Sequence, residues 1–114
     1  MITAVHTLIY AEDEDAARAF FRDVLEWPNV DAGGGWLIFR SGPSELALHP
    51  TEGRPHHELS LMCDDLDATI AELTAKGAEF SGEINEQRWG RTINLKVPGA
   101  GEMLLYQPLH PTAY

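Results

Sequence analysis

The side chains of this sequence that could do acid–base or metal chemistry occur at matching positions in its two halves. His6 has its counterpart in Glu58, 52 residues later, and Glu45 has its counterpart in Glu102, 57 residues later. An imidazole and a carboxylate that face one another can exchange a proton or share a divalent cation. The pair His6 and Glu58 therefore raises two chemical hypotheses, proton transfer and metal binding.

The elements that must position these residues also repeat. VHTLIYAEDEDAA aligns with HELSLMCDDLDAT at the offset of 52, which places Asp13 over Asp65. In each copy an alternating stretch predicts a strand, the aspartate is suited to cap a helix, and helical spacing follows. We expect helices at about residues 14–26 and 66–76, each packing its apolar stripe on a sheet.

Turn-forming residues then separate about three further strand-like runs in each half, and ELALHP aligns with EMLLYQP near the ends of the copies. The pattern predicts an α+β fold of two βαβββ modules in tandem. We expect one domain over residues 1–114, with modules at about 1–52 and 56–108 and a short C-terminal tail. The two modules should form a curved mixed sheet around a cavity.

Strand alternation sorts the side chains into two faces. The apolar face, predicted to lie under the helices, includes Ile9, Leu46, Leu48, Leu59, Leu61, Met103 and Leu105. The other face mixes polar and aromatic groups, so it either faces water or lines a cavity, and we favour the cavity. With two tryptophans that could stack on a flat ligand, the predicted ligand-binding residues are His6, Tyr10, Trp36, Glu45, His49, Glu58, Ser60, Trp89, Glu102, Leu104 and Tyr106. His56 and His110 fall in predicted loops and receive no role.

The charge balance excludes some partners. The formal net charge is −10, from 18 acidic and 8 basic residues, so phosphate backbones and anionic membrane surfaces would be repelled. We expect neither nucleic acid nor a membrane as a partner. Cys63 is the only cysteine, which suits a reducing compartment. The amino terminus lacks the pattern of a signal peptide and no apolar run is long enough to span a bilayer, so we expect a cytoplasmic location.

The segments VHTLIYAEDEDAARAFFRDVLEW and HELSLMCDDLDATIAELTAKGAEF and the ending GEMLLYQP resemble the vicinal-oxygen-chelate superfamily, the glyoxalase, bleomycin-resistance and dioxygenase type. The resemblance covers almost the whole chain and implies this fold. It does not decide function, because the superfamily includes both enzymes and binding proteins.

In metal-dependent members of that superfamily, the resemblance implies four ligand positions, which fall on His6, Ala47, Glu58 and Leu104. Ala47 and Leu104 have no donor atom, and two protein ligands are fewer than catalytic metal sites usually present. We therefore expect no metal cofactor, with a divalent metal held by His6 and Glu58 as the alternative.

These observations favour a metal-independent protein that binds or sequesters a small organic molecule or drug. The alternative is a glyoxalase-like lyase or isomerase, or a dioxygenase, in which His6 and Glu58 act as metal ligands or as an acid–base pair. The resemblance also implies a homodimer, because modules of this superfamily pair through the edges of their first strands.

Overall fold

The computed structural model describes residues 6–113, and its first half contains one helix and a short hairpin. Helix α1 spans Glu14–Ala19 and continues as a π-helical turn over Phe20–Val24. Strands β1 (Asn29–Asp31) and β2 (Leu37–Phe39) pair antiparallel as a two-stranded sheet. This hairpin and helix correspond to the middle of the first predicted module.

The second half forms a complete βαβββ unit. The elements of this half are β3 (Ser60–Met62), α2 (Leu66–Ala75), β4 (Phe80–Glu86), β5 (Gly90–Val97) and β6 (Gly101–Pro108). Its four-stranded sheet has the order β3-β6-β5-β4, with β3 parallel to β6 and the other pairs antiparallel. Both sheets of the molecule are open, and the predicted α+β class is confirmed.

Both helices begin at the aspartates that the repeat predicted. Asp13 Oδ1 accepts a hydrogen bond from the Ala16 N–H at 3.0 Å, and Asp65 Oδ1 accepts one from the Ala68 N–H at 3.0 Å. Each carboxylate thereby satisfies an N–H group that has no partner inside its helix. The second helix stops before Gly77, which adopts the left-handed conformation at a φ of 91°.

The core lies between the two helices and one face of the four-stranded sheet. Phe20 and Phe21 from the first half pack in one cluster with Leu95, Val97 and Met103 of the second half. A neighbouring cluster contains Leu66, Ile93 and Leu105. The apolar face predicted for the second module is thus confirmed at Leu61, Met103 and Leu105, which all contribute to these clusters.

The first half differs from expectation at its two outer strands. Residues 6–11 and 40–59 contain no strand, and the predicted first strand begins outside the described residues. Leu46 and Leu48 are 81% and 93% exposed, whereas their repeat counterparts Met103 and Leu105 are 8% and 3% exposed. A strand needs a neighbour for its backbone hydrogen bonds, and the described part of one chain provides none for these segments. Ile9 and Leu59, also assigned to the apolar face, are likewise exposed.

Candidate functional site

The sheet of the second half has one face that the helices do not cover. The register places Ser60 beside Leu104, and Leu104 beside Asn94 on the next strand. The following row contains Met62, Tyr106 and Thr92. Because side chains alternate along a strand, these residues point away from the buried leucines of the core. We call this surface the open face, defined by Ser60, Met62, Thr92, Asn94, Leu104 and Tyr106, of which Thr92 is itself buried.

One end of the open face carries a cluster of polar and aromatic side chains around Tyr106. The Tyr106 and Trp89 rings meet edge to face, with centroids 5.5 Å apart. The Tyr106 hydroxyl forms a hydrogen bond with His110 Nε2 and lies 3.3 Å from the Trp89 carbonyl oxygen. A Glu45 carboxylate oxygen lies 3.9 Å from the same His110 nitrogen. We call Glu45, Trp89, Tyr106 and His110 the Tyr106 cluster.

The Tyr106 phenol keeps its proton over the physiological range. Burial raises the pKa of Tyr106, and the negative charge of Glu45 raises it further. His110 Nδ1 lies 2.7 Å from the Pro111 carbonyl oxygen, which can only accept a hydrogen bond. In neutral His110 the proton therefore sits on Nδ1, and Nε2 accepts the Tyr106 hydroxyl proton.

The segment after β6 holds this cluster together. The Leu109 N–H donates to the Trp89 carbonyl oxygen at 2.8 Å. The Ala113 N–H donates to Glu45 Oε2 at 3.0 Å. Residues 109–113 thus connect the end of the sheet to Glu45, which lies in the irregular segment 40–59. We call residues 109–113 the C-terminal strap.

Five of the predicted site residues lie on or beside the sheet of the second half. Ser60, Leu104 and Tyr106 belong to the open face. Glu102 lies at the other end of β6, where its carboxylate accepts a hydrogen bond from Ser81 Oγ at 2.6 Å. Trp89 precedes β5 and touches Tyr106. Glu45 joins this group from the first half through the Tyr106 cluster.

The other predicted site residues have different surroundings. His6, Tyr10 and His49 are exposed in segments without regular structure. The Glu58 carboxylate lies 3.4 Å from His56, and the Arg54 carbonyl oxygen and Glu58 together raise the pKa of that histidine. Trp36 is exposed, with the Arg18 guanidinium 5.0 Å from its ring centre. Glu58 thus contacts His56, two residues earlier in the chain, and the pairing of His6 with Glu58 stays a prediction.

His110 is the member of the cluster that the sequence did not identify. It lies beyond the last strand, between Pro108 and Pro111, where neither strand nor helical periodicity fixes a side chain's direction. The one available signal was its spacing of four residues from Tyr106, which places a second titratable group near the end of a site strand.

The residues present do not form the metal site that the superfamily resemblance implies. Within residues 6–113, no group of three or more histidine, cysteine, aspartate or glutamate side chains is close enough to hold a metal ion. Two of the four implied positions, Ala47 and Leu104, carry only hydrocarbon. A catalytic metal usually needs three protein ligands, so no step through a metal follows from this arrangement.

None of the helices in the described part of the chain has the length and apolarity needed to cross a membrane. Proteins similar to this chain are of several kinds. YetH, an uncharacterized protein of Bacillus subtilis (strain 168), is 25% identical over 92% of this chain and 98% of its own length.

Two solved structures share the fold at low identity. A lactoylglutathione lyase from Agrobacterium tumefaciens matches 94% of this chain and 95% of its own, with a TM-score of 0.64 and 19% identity. TnmS3, an antibiotic binding protein from Streptomyces sp. CB03234, matches 94% and 97%, with a TM-score of 0.64 and 23% identity. The family model of the Glyoxalase/Bleomycin resistance protein/Dioxygenase superfamily matches residues 3–96. The βαβββ order, the two capped helices and this match together show that the chain belongs to that superfamily.

Proposed function

We propose that this protein binds a small organic molecule on the open face, without a metal ion, and so acts by sequestering or carrying its ligand. The observation that carries the proposal is the Tyr106 cluster. It brings a carboxylate, a neutral phenol, an imidazole and an indole together from distant parts of the chain, at the end of a half-apolar sheet face. Binding sites commonly combine apolar walls with a few convergent polar groups of this kind.

The apolar part of the site is supplied by Leu104 and Met62, which are half-buried beside Tyr106. A flat or branched ligand could cover these side chains while its polar end reaches the Tyr106 cluster. The similarity to TnmS3 agrees with this proposal, since that relative is an antibiotic binding protein. The similarity to a lactoylglutathione lyase supports an enzyme as the alternative. The next experiment distinguishes a metal-independent binding protein from an enzyme.

A thermal-shift screen of metabolites and natural products tests the proposal. A ligand at concentration [L] stabilises the folded state by RT ln(1 + [L]/Kd), so a compound at 100 times its Kd adds about 2.7 kcal/mol. We expect hits whose effect is lost in Leu104→Lys, which places a charge on the open face, and retained in Tyr10→Ala, a change at a side chain that is 89% exposed. Stoichiometric metal in protein purified without chelators, lost in His6→Ala, would favour the enzyme instead.

We also propose that the protein works as a homodimer in the cytoplasm. The exposed leucines of the segment 44–50 support the dimer, because a second copy could cover them. The lone half-buried Cys63 thiol supports a reducing compartment. The net charge of −10 argues against nucleic acid as a partner.

A further inference from the structure

Glu45 is a largely buried carboxylate that forms no ion pair with a lysine or arginine in the described part of the chain. Its side chain is 18% exposed, and one oxygen accepts the Ala113 N–H. In the described part of the chain, the ion pairs made by arginine and lysine use other carboxylates. A partly buried carboxylate is stabilised by a positive charge nearby, so a site next to Glu45 would favour a cation.

Among the described side chains, His110 Nε2 is the basic nitrogen that approaches this carboxylate, and its surroundings describe the position that a cation would take. Nε2 is 3.9 Å from Glu45 Oε1 and hydrogen-bonded to the Tyr106 hydroxyl. The Trp89 ring, which is 50% exposed, borders the Tyr106 ring. An ammonium group at this point would meet a carboxylate and a phenol oxygen. The exposed Trp89 ring beside the phenol is an aromatic surface of the kind that attracts cations at short range.

We propose that Glu45, Trp89 and Tyr106 form a subsite for the ammonium group of a small organic cation, and that His110 of the C-terminal strap occupies this subsite in the free protein. The proposal rests on the proposed function and names the ligand class of the same site. The family model matches residues 3–96, so its match does not include Tyr106 or His110.

The occupation by His110 makes binding depend on pH. Two titratable groups face the imidazole, Tyr106 from β6 and Glu45 from the segment 40–59. A neutral imidazole holds the subsite with one hydrogen bond, from the Tyr106 hydroxyl. A protonated imidazole adds an attraction to Glu45 and therefore competes with a ligand's positive charge. Cation binding should accordingly be stronger at pH 8 than at pH 5.5.

Choline and its neutral isostere 3,3-dimethylbutan-1-ol test the ligand class directly. Both are titrated into ¹⁵N-labelled protein at millimolar concentrations, and the amide and indole resonances are followed by NMR. At pH 8 we expect choline to shift the Trp89 indole and the strap amides. The isostere should bind about tenfold more weakly, since only the cation gains the attraction of the carboxylate and of the Trp89 ring. Equal binding of the two compounds, or no choline binding, would overturn the proposal.

Two variants separate the roles of the side chains. Glu45→Gln keeps the size of the side chain and should weaken choline binding about tenfold without affecting the isostere. His110→Gln removes the competing imidazole and should make the choline affinity the same at pH 5.5 and pH 8. If Glu45→Gln fails to fold, Trp89→Leu replaces it and should reduce choline binding. Unchanged choline affinity in the folded variant would contradict the subsite.

The screen described above and the choline titration can fail independently. Neutral hits on the open face together with no difference between choline and its isostere would retain the proposed function and refute the cation subsite. Choline shifts confined to Trp89 and the strap, with no effect of Leu104→Lys on any ligand, would support the subsite and refute the open face as the binding surface.

Discussion

Gly90 is the residue on which the position of the Tyr106 ring depends. A Cβ atom at this position would lie 2.2 Å from Tyr106 Cε2 and 2.8 Å from the Gln107 carbonyl oxygen, so Gly90→Ala must displace the ring or the strand. We expect a loss of about 1–3 kcal/mol in the free energy of unfolding, as for other overpacked sites. Urea denaturation measures it. Gly53→Ala is the control, because its nearest neighbour would lie 3.8 Å away. Equal effects of both changes would contradict the packing described.

Cys63 gives a second prediction at the scale of one residue. Burial raises the pKa of the Cys63 thiol, so the thiolate that reacts with alkylating reagents is scarce at neutral pH. We expect iodoacetamide at pH 7.5 to modify the folded protein much more slowly than the protein in urea, with the folded rate rising as the pH increases towards 9. Mass spectrometry follows the reaction. Similar rates in the two states would show that the thiol is accessible.

The candidate site illustrates what could be predicted from single residues. Strand alternation placed Ser60, Leu104 and Tyr106 on one face, because the period of two is a local property that the four-stranded sheet preserves. His110 could not be found in this way. Its direction depends on a contact with Glu45, which is 65 residues earlier in the chain, and contacts of that range have no local pattern.

At the scale of elements, the two capping aspartates allow a matched comparison. Asp13→Ala and Asp65→Ala each remove a hydrogen bond to the first turn of a helix, and we expect each to lower the free energy of unfolding by about 0.5–2 kcal/mol. Asp13→Asn and Asp65→Asn keep an acceptor oxygen and should lie close to wild type. Thermal and urea unfolding of the four variants check this. Asparagine variants as unstable as the alanine variants would show that charge matters more than the cap.

The helices were predictable to within about two residues because the capping residue, the apolar residues at helical spacing and the residue that ends the helix follow one another in the sequence. The observed helical region Glu14–Val24 is two residues shorter than the predicted 14–26, and α2 ends at Ala75 rather than 76. The presence or absence of the outer strands of the first half could not be predicted from local sequence alone. Their alternation is as clear as that of β6, yet a strand exists only where another strand can pair with it.

At the scale of the whole molecule, residues at equivalent positions of the sequence repeat differ in burial. Leu48 and Leu105 occupy equivalent positions, but one is 93% exposed and the other 3%. An alternating strand sequence that is exposed over several leucines is unfavourable in water and is commonly covered in an assembly. The proposed homodimer removes the disagreement, because a second copy can supply the neighbouring strand that the described part of one chain lacks.

The matched pair Leu48→Gln and Leu105→Gln tests this explanation. Leu105→Gln should destabilise the fold of each chain by about 2–5 kcal/mol, because it disrupts the core. Leu48→Gln should leave the fold of each chain intact and raise the dimer dissociation constant at least about tenfold. In a twofold-symmetric dimer the substitution is present in both chains, and burying one leucine side chain contributes about 1.5–3 kcal/mol. Sedimentation velocity over a range of concentrations measures the dissociation constant, with Thr74→Gln on the exposed side of α2 as the control. A wild-type protein that stays monomeric at micromolar concentration would contradict the dimer, and the exposed leucines of residues 44–50 would then need to be covered by ligand or by another protein.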